Sequence, residues 1–293
     1  MSGTKVVVDV EGTPVALTNL EKVLYPAVGF TKGQVLDYYT RIAPVLLPHL
    51  AGRALTRKRY PNGVEGQVFF EKNAPRGTPE WVHVENLPSP GSSKNRETID
   101  YVVVDDLAAL VWTANLASLE LHTHMWRVDA GRPDMVVFDL DPGEPATIVE
   151  CCQVALLLRE AMRADGLDPL PKTSGSKGLQ LYARAETFAS SEETSAYAKG
   201  LAQRFEASHP DLVVHRMTKA LRPGKVLVDW SQNSAAKTTI SVYSLRARPR
   251  PTVSTPIKWD EVEACRRPDD LVFTTDDVLA RVAADGDLFA PLL

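Results

Sequence analysis

Residues 135–144 read Met-Val-Val-Phe-Asp-Leu-Asp-Pro-Gly-Glu, an apolar run that ends in two acids placed two residues apart before a Pro-Gly break. Side chains on a strand alternate faces with period two, so Asp139 and Asp141 project together while Phe138 and Leu140 point to the opposite, buried face. Two carboxylates about 7 Å apart on one strand repel each other unless a cation lies between them. Ligands that are all oxygen suit a hard ion such as magnesium or manganese. Taken alone, the pair also reads as a strand end running into an acidic Asp-Pro-Gly turn. A third acid shifts the balance. Lys225-Val-Leu-Val-Asp229 is another apolar strand closed by an aspartate, and buried strands rarely carry Asp without a partner. Three strand-borne aspartates can hold two divalent ions, a common device for in-line displacement at phosphorus. The chemistry indicated is phosphoryl or nucleotidyl transfer.

Between these acids lies Lys172-Thr-Ser-Gly-Ser-Lys-Gly-Leu-Gln180. Gly175 and Gly178 let a backbone approach an anion, and Ser174, Ser176 and Lys177 add donors and charge. The Walker A spacing is absent, and a plain surface turn is the alternative reading. The net charge of −4 argues against a nucleic-acid binder that uses its whole surface, but the basic residues cluster in 53–59, 215–225 and 246–250. A basic groove on an acidic body fits that distribution. Three cysteines, two of them adjacent, form neither a disulfide framework nor a zinc set. No stretch approaches the roughly 18 apolar residues of a membrane span, and the opening residues lack an apolar leader core. A cytoplasmic protein without membrane contact is expected.

Strand and helix signals alternate along the chain. Strands are expected at 5–10, 54–60, 67–72, 99–104, 135–141 and 179–184, with a Pro61-Asn-Gly63 turn between the second and third. A hairpin is expected from Val213–Met217 and Lys225–Ser231. Capping-box spacings at Thr31/Gln34 and Thr147/Glu150 start helices, the first ended or kinked by Pro44. Further helices are expected near 106–119, 191–207 and 275–285. Residues 73–98, rich in Pro, Gly and Ser, read as a surface loop and as the best place for a lobe junction in a single 293-residue domain. The fold class is mixed α/β.

Several motifs together carry a resemblance over nearly the whole chain: FDLDPGE (138–144), TSGSKGLQLY (173–182), KVLVDWSQNSAAKTT (225–239), LTNLEKVLYP (17–26), RALTRKRYPNGV (53–64), VFFEK (68–72), LELHTHMW (119–126) and YSLRAR (243–248). They resemble the polymerase domain of bacterial ligase D, part of the archaeo-eukaryotic primase superfamily. The resemblance implies a primase-polymerase fold with a central mixed or antiparallel sheet flanked by helices. It also implies a template-dependent polymerase of end joining that extends primers at gaps and broken ends and prefers ribonucleotides.

Carried over motif by motif, Asp139, Asp141 and Asp229 are catalytic and bind two manganese or magnesium ions. His122, Ser174, Lys177, Gln180, Lys237 and Arg246 bind the nucleoside triphosphate. Lys22 and Lys32 grip the 5′-phosphate across a gap, Phe69 and Phe70 meet the template, and Arg53, Arg57 and Lys58 touch DNA phosphates. Ku and a DNA ligase are partners by family analogy. In the family a histidine stands where this chain has Gln180, and glutamine cannot carry its positive charge. That departure motivates a rival reading, a module that binds 5′-phosphorylated gaps with little catalysis. A metal-dependent phosphoesterase is a third reading that the acids alone allow.

Overall fold

The computed structural model describes residues 5–89 and 97–293. Among them are six α-helices and two main sheets. The first sheet runs in the order Leu170–Thr173, Leu179–Arg184, Met135–Pro142, Val226–Asp229, Val213–Val214. Its neighbours are antiparallel except the last pair. The second runs Thr239–Ile240, Ser118–Thr123, Ala54–Arg59, Thr98–Val103, Val84–Pro88, with Phe69–Glu71 paired to the end of Ala54–Arg59. This is the mixed α/β fold with antiparallel sheets that the sequence led us to expect.

The strand Met135–Pro142 shows why the acids emerge where they do. Val136, Phe138 and Leu140 are fully buried against the helices Ile148–Ala164 and Ser191–Ser208. On its other face Met135 and Val137 join the core beneath the second sheet, with Leu55, Leu119 and Leu121. Asp139 and Asp141 continue that second face beyond the core. Burying a side chain such as Phe138 or Leu140 contributes about 1.5–3 kcal/mol. A one-residue slip would drive both acids into the apolar layer, so packing sets the register.

Both capping boxes form: Thr31 with Gln34 opens Lys32–Leu50, and Thr147 with Glu150 opens Ile148–Ala164. Three expectations need correction. The first helix does not end at Pro44 but continues through Pro48 to Leu50. Both prolines and Thr40 are exposed, so the carbonyls that lose a backbone donor lie on the wet side of the helix. The 73–98 segment is not all loop, because Val84–Pro88 pairs with Thr98–Val103; its residues 90–96 lie outside the described residues. The expected hairpin is a parallel pair, Val213–Val214 beside Val226–Leu227. The connection contains the helical turn Lys219–Leu221 and crosses over instead of folding straight back. Among the described residues, no helix is long and apolar enough to cross a membrane.

Candidate active site

The three aspartates meet because their strands are neighbours. Asp139 lies directly opposite Asp229 in the antiparallel register, and Asp141 follows on the same face, opposite Leu227. Asp141 is exposed, Asp139 partly so, and Asp229 nearly buried. Burial, followed by repulsion from Asp141, pushes the Asp139 carboxyl up to about 7. Desolvation and Asp229 raise that of Asp141. Lys172, Arg222 and Arg246 offset this only in part. A crowded set of oxygen donors that resists ionisation fits a hard divalent cation, whose charge would remove the repulsion.

Among the described residues, no three acid, His or Cys side chains are drawn together as tightly as a bound ion would hold them. Instead, two of the aspartates are tied to side-chain donors. Asp229 accepts from the Ser231 amide at 3.0 Å, the Ser231 hydroxyl at 2.5 Å and Gln232 Nε2 at 2.8 Å. Asp139 Oδ1 accepts from Gln180 Nε2 at 2.9 Å. Lys237 donates to Ser231 Oγ, which links that lysine to Asp229 through one hydroxyl.

The Gly-Ser loop packs against the strand that bears the acids. A Cβ on Gly178 would lie 2.1 Å from Leu140 O, so only glycine permits the approach; Gly175, at φ +69°, is pressed against Val253 and Arg246. Both glycines therefore serve close packing of the loop on neighbouring segments of the chain. Ser174 Oγ accepts from the Ser176 and Gly178 amides at 3.2 and 3.1 Å, leaving its hydroxyl proton free to donate. Lys177 is exposed and pairs with exposed Glu144 at 2.7 Å, a contact that an incoming phosphate can displace.

Facing the loop, Glu120 organises a cationic wall. It is 2% exposed and meets Lys58 Nζ at 3.0 Å, His122 Nε2 at 3.0 Å and Arg246 Nε at 3.5 Å, and it accepts from the Ala247 amide at 3.1 Å. Despite its burial, these donors hold its carboxyl well below the usual range. Burial in turn lowers His122, against the pull of Glu120. Sequence reasoning did not single out Glu120, Lys172 or Gln232. The signal for Glu120 was its place two residues before His122, on the same strand face.

A family model described as "LigD, primase-polymerase domain" matches residues 31–289. The chain belongs to this family. It is therefore a nucleotidyltransferase of the primase-polymerase type, in a metal-dependent family. It is 46% identical over 281 residues to the multifunctional non-homologous end joining protein LigD of Mycolicibacterium smegmatis, covering 95% of this chain and 36% of that protein. To the bifunctional LigD of Bacillus subtilis it is 31% identical over 270 residues, covering 92% and 42%. The chain thus spans well under half the length of these relatives. The solved polymerase domain from Mycobacterium tuberculosis ligase D in complex with DNA superposes with a TM-score of 0.88 at 44% identity, covering 95% of this chain and 97% of that one.

Within this LigD-type domain, the residues expected to touch DNA divide into two groups. Phe70 is well exposed and Phe69 less so, on opposite faces of their strand, with the Phe70 ring 6.5 Å from His122. Lys58 is partly exposed beside Glu120. Lys22 is exposed and donates to Asn62; Lys32 is nearly buried, and its ammonium donates to Thr18 O at 2.5 Å. Burial, with Lys22 and Arg59 nearby, lowers Lys32 to about 8. Arg53 and Arg57 correct the sequence reading. Arg53 is 2% exposed and forms a two-pronged pair with Asp134; Arg57 is fully buried, donating to Asn73 O beside Glu71. Neither guanidinium can reach a phosphate, and both hold the sheet from within. His124 is likewise packing, its Nδ1 donating to Ala54 O at 3.1 Å between Tyr101 and Trp126.

Proposed function

We propose that this chain extends a primer strand, directed by a template, at short gaps and broken DNA ends. It works with two divalent ions, manganese or magnesium, at Asp139, Asp141 and Asp229, and prefers ribonucleotides. The observation that carries this reading is the register of Asp139 opposite Asp229, with Asp141 on the same open face and the Ser174–Gly178 loop packed against their strand. Bound there, the ions would neutralise the triphosphate and favour attack of the primer 3′-oxygen on the α-phosphorus.

The protein's own groups do the rest. The Ser174 hydroxyl, Lys177, Lys237 and Arg246 hold the phosphates, and His122 lines the nucleotide pocket. Lys22 and Lys32 hold a 5′-phosphate across the gap, so both DNA ends are fixed before reaction. Phe70 offers a face for a template base. Several Lys and Arg contacts to phosphate make the binding strongly salt-dependent. The end-joining setting, with Ku and a DNA ligase as partners, rests on analogy with the relatives.

The test is extension of a primer facing a 5′-phosphorylated gap, with ribo- or deoxyribonucleotides and manganese or magnesium. Extension abolished by Asp139→Ala is expected, faster with ribonucleotides and weakened when the 5′-phosphate is removed. One observation favours a second reading, a gap-binding module with little catalysis. Gln180 is 3% exposed and its amide is engaged by Lys172 and by Asp139, so its side chain is turned inward and not toward a triphosphate. Tight binding of the gap without extension in either metal would select that reading.

A further inference from the structure

Lys172, Gln180, Asp139 and Asp229 form one row across four adjacent strands. Lys172 is paired with Gln180, Gln180 with Asp139, and Asp139 with Asp229. The row begins at a buried lysine. Lys172 is 1% exposed, and its Nζ meets Gln180 Oε1 at 2.5 Å, Ser254 Oγ at 2.6 Å and Ile240 O at 3.0 Å. Burial lowers Lys172 well below the usual lysine range, so the orientation of the amide is fixed from its other end: the Asp139 carboxylate, ionised to hold a cation, can only accept. The Tyr182 hydroxyl, 3.3 Å from Gln180 Oε1, agrees with that assignment. The amide nitrogen must then face Asp139, and it lies 2.9 Å from Oδ1. Gln180 is 3% exposed, so the whole side chain is committed inward.

We propose that Gln180 is a positioning residue for the divalent-cation site: locked by Lys172, it holds the Asp139 carboxylate in place through Oδ1 and does not itself touch the nucleotide. This rests on the reading of Asp139, Asp141 and Asp229 as metal ligands. An N–H donor on one lone pair of Oδ1 restrains the rotation of the carboxylate while leaving its other lone pairs for an ion. It works against the mutual repulsion of the acids, which would otherwise swing Asp139 away from Asp141 and Asp229 before an ion arrives. Length matters as well as polarity. A glutamine reaches from Lys172 to Asp139, whereas an asparagine, one methylene shorter, cannot meet both.

The test titrates the whole chain with Mn2+ in the absence of nucleotide, reading the free ion by electron paramagnetic resonance, for wild type, Gln180→Asn and Gln180→Met. Unfolding midpoints show which variants are folded, and methionine, close to glutamine in volume, serves if asparagine destabilises the core. Removing an outer-shell partner of a metal ligand is expected to weaken Mn2+ binding about 10–100-fold. The KM for nucleotide, measured at saturating Mn2+, should stay within about twofold, because uniform substrate binding is untouched. Unchanged Mn2+ affinity in a folded variant would overturn the proposal. So would intact Mn2+ affinity with a raised nucleotide KM, which would place Gln180 on the triphosphate. If wild type itself binds no Mn2+, the metal reading fails with it. If wild type binds Mn2+ and the variants do not differ, only the role of Gln180 fails.

Discussion

The repulsion among the aspartates has a consequence for stability that needs no substrate to detect. In the metal-free protein the Asp139 carboxyl is pushed from an ordinary 3.8 up to about 7, first by burial and then by Asp141. Between about pH 4 and pH 7 the unfolded chain has released this proton and the folded chain retains it, so stability falls as pH rises through that window and levels off above it. About three pH units at about 1.36 kcal/mol each give about 4 kcal/mol at pH 8. Solvent reaches the open cleft and screens part of this, bringing the expected effect to roughly 2–4 kcal/mol. Asp139→Asn removes the charge yet can still accept the Gln180 hydrogen bond. In EDTA at pH 8 the variant should therefore unfold at higher urea, by roughly 2–4 kcal/mol, with the gain shrinking to about 1 kcal/mol at pH 5. Saturating Mn2+ should reverse the order, because only the wild type gains from binding. A variant equally stable or less stable than wild type at pH 8 in EDTA would refute the claim that these carboxylates share one crowded, desolvated site.

Three further expectations follow from named contacts. Glu120→Gln leaves Lys58, His122 and Arg246 around a neutral amide; breaking a buried set of this kind costs about 3–5 kcal/mol, so both a lower unfolding temperature and a higher nucleotide KM are expected. Because Lys32 is lowered to about 8, the preference for a 5′-phosphorylated over a 5′-hydroxyl gap should decline above that pH as the ammonium loses its proton. Lys32→Met should remove the preference at every pH, as read by competition binding at fixed salt. Phe70→Ala should weaken binding of gapped DNA by about 1–3 kcal/mol, the usual loss for one stacked base, while leaving Mn2+ affinity unchanged.

The placement of Asp139 and Asp141 on one open face was legible because a strand has period two and packing fixes its register. Val136, Phe138 and Leu140 bury one face, and Asp139 and Asp141 are left on the other. The basic run 53–59 misled because alternation does not apply to it. Ala54 and Thr56 on one face are as fully buried as Leu55 and Arg57 on the other, so both faces of this strand lie inside. Its charged residues gave no local sign of that burial. Partners far apart in sequence were out of reach: Glu120 meets Arg246 and Lys172 meets Ser254 only after the segment that follows Ile240 has packed against the two sheets. The helix through Pro44 shows the limit of a local rule. Pro44 and Pro48 lie four residues apart on the exposed side, where water can serve the carbonyls they leave without a donor.

The central claim is templated nucleotidyl transfer at Asp139, Asp141 and Asp229, and it is tested most directly by single-nucleotide incorporation. Four one-nucleotide gaps, each 5′-phosphorylated and differing only in the template base, are offered each ribonucleotide in turn with Mn2+, to wild type and to Asp229→Asn. The account predicts that wild type inserts the complementary nucleotide in each gap and that Asp229→Asn inserts none while still binding the gap. Insertion that ignores the template base, or insertion that survives Asp229→Asn, would contradict it.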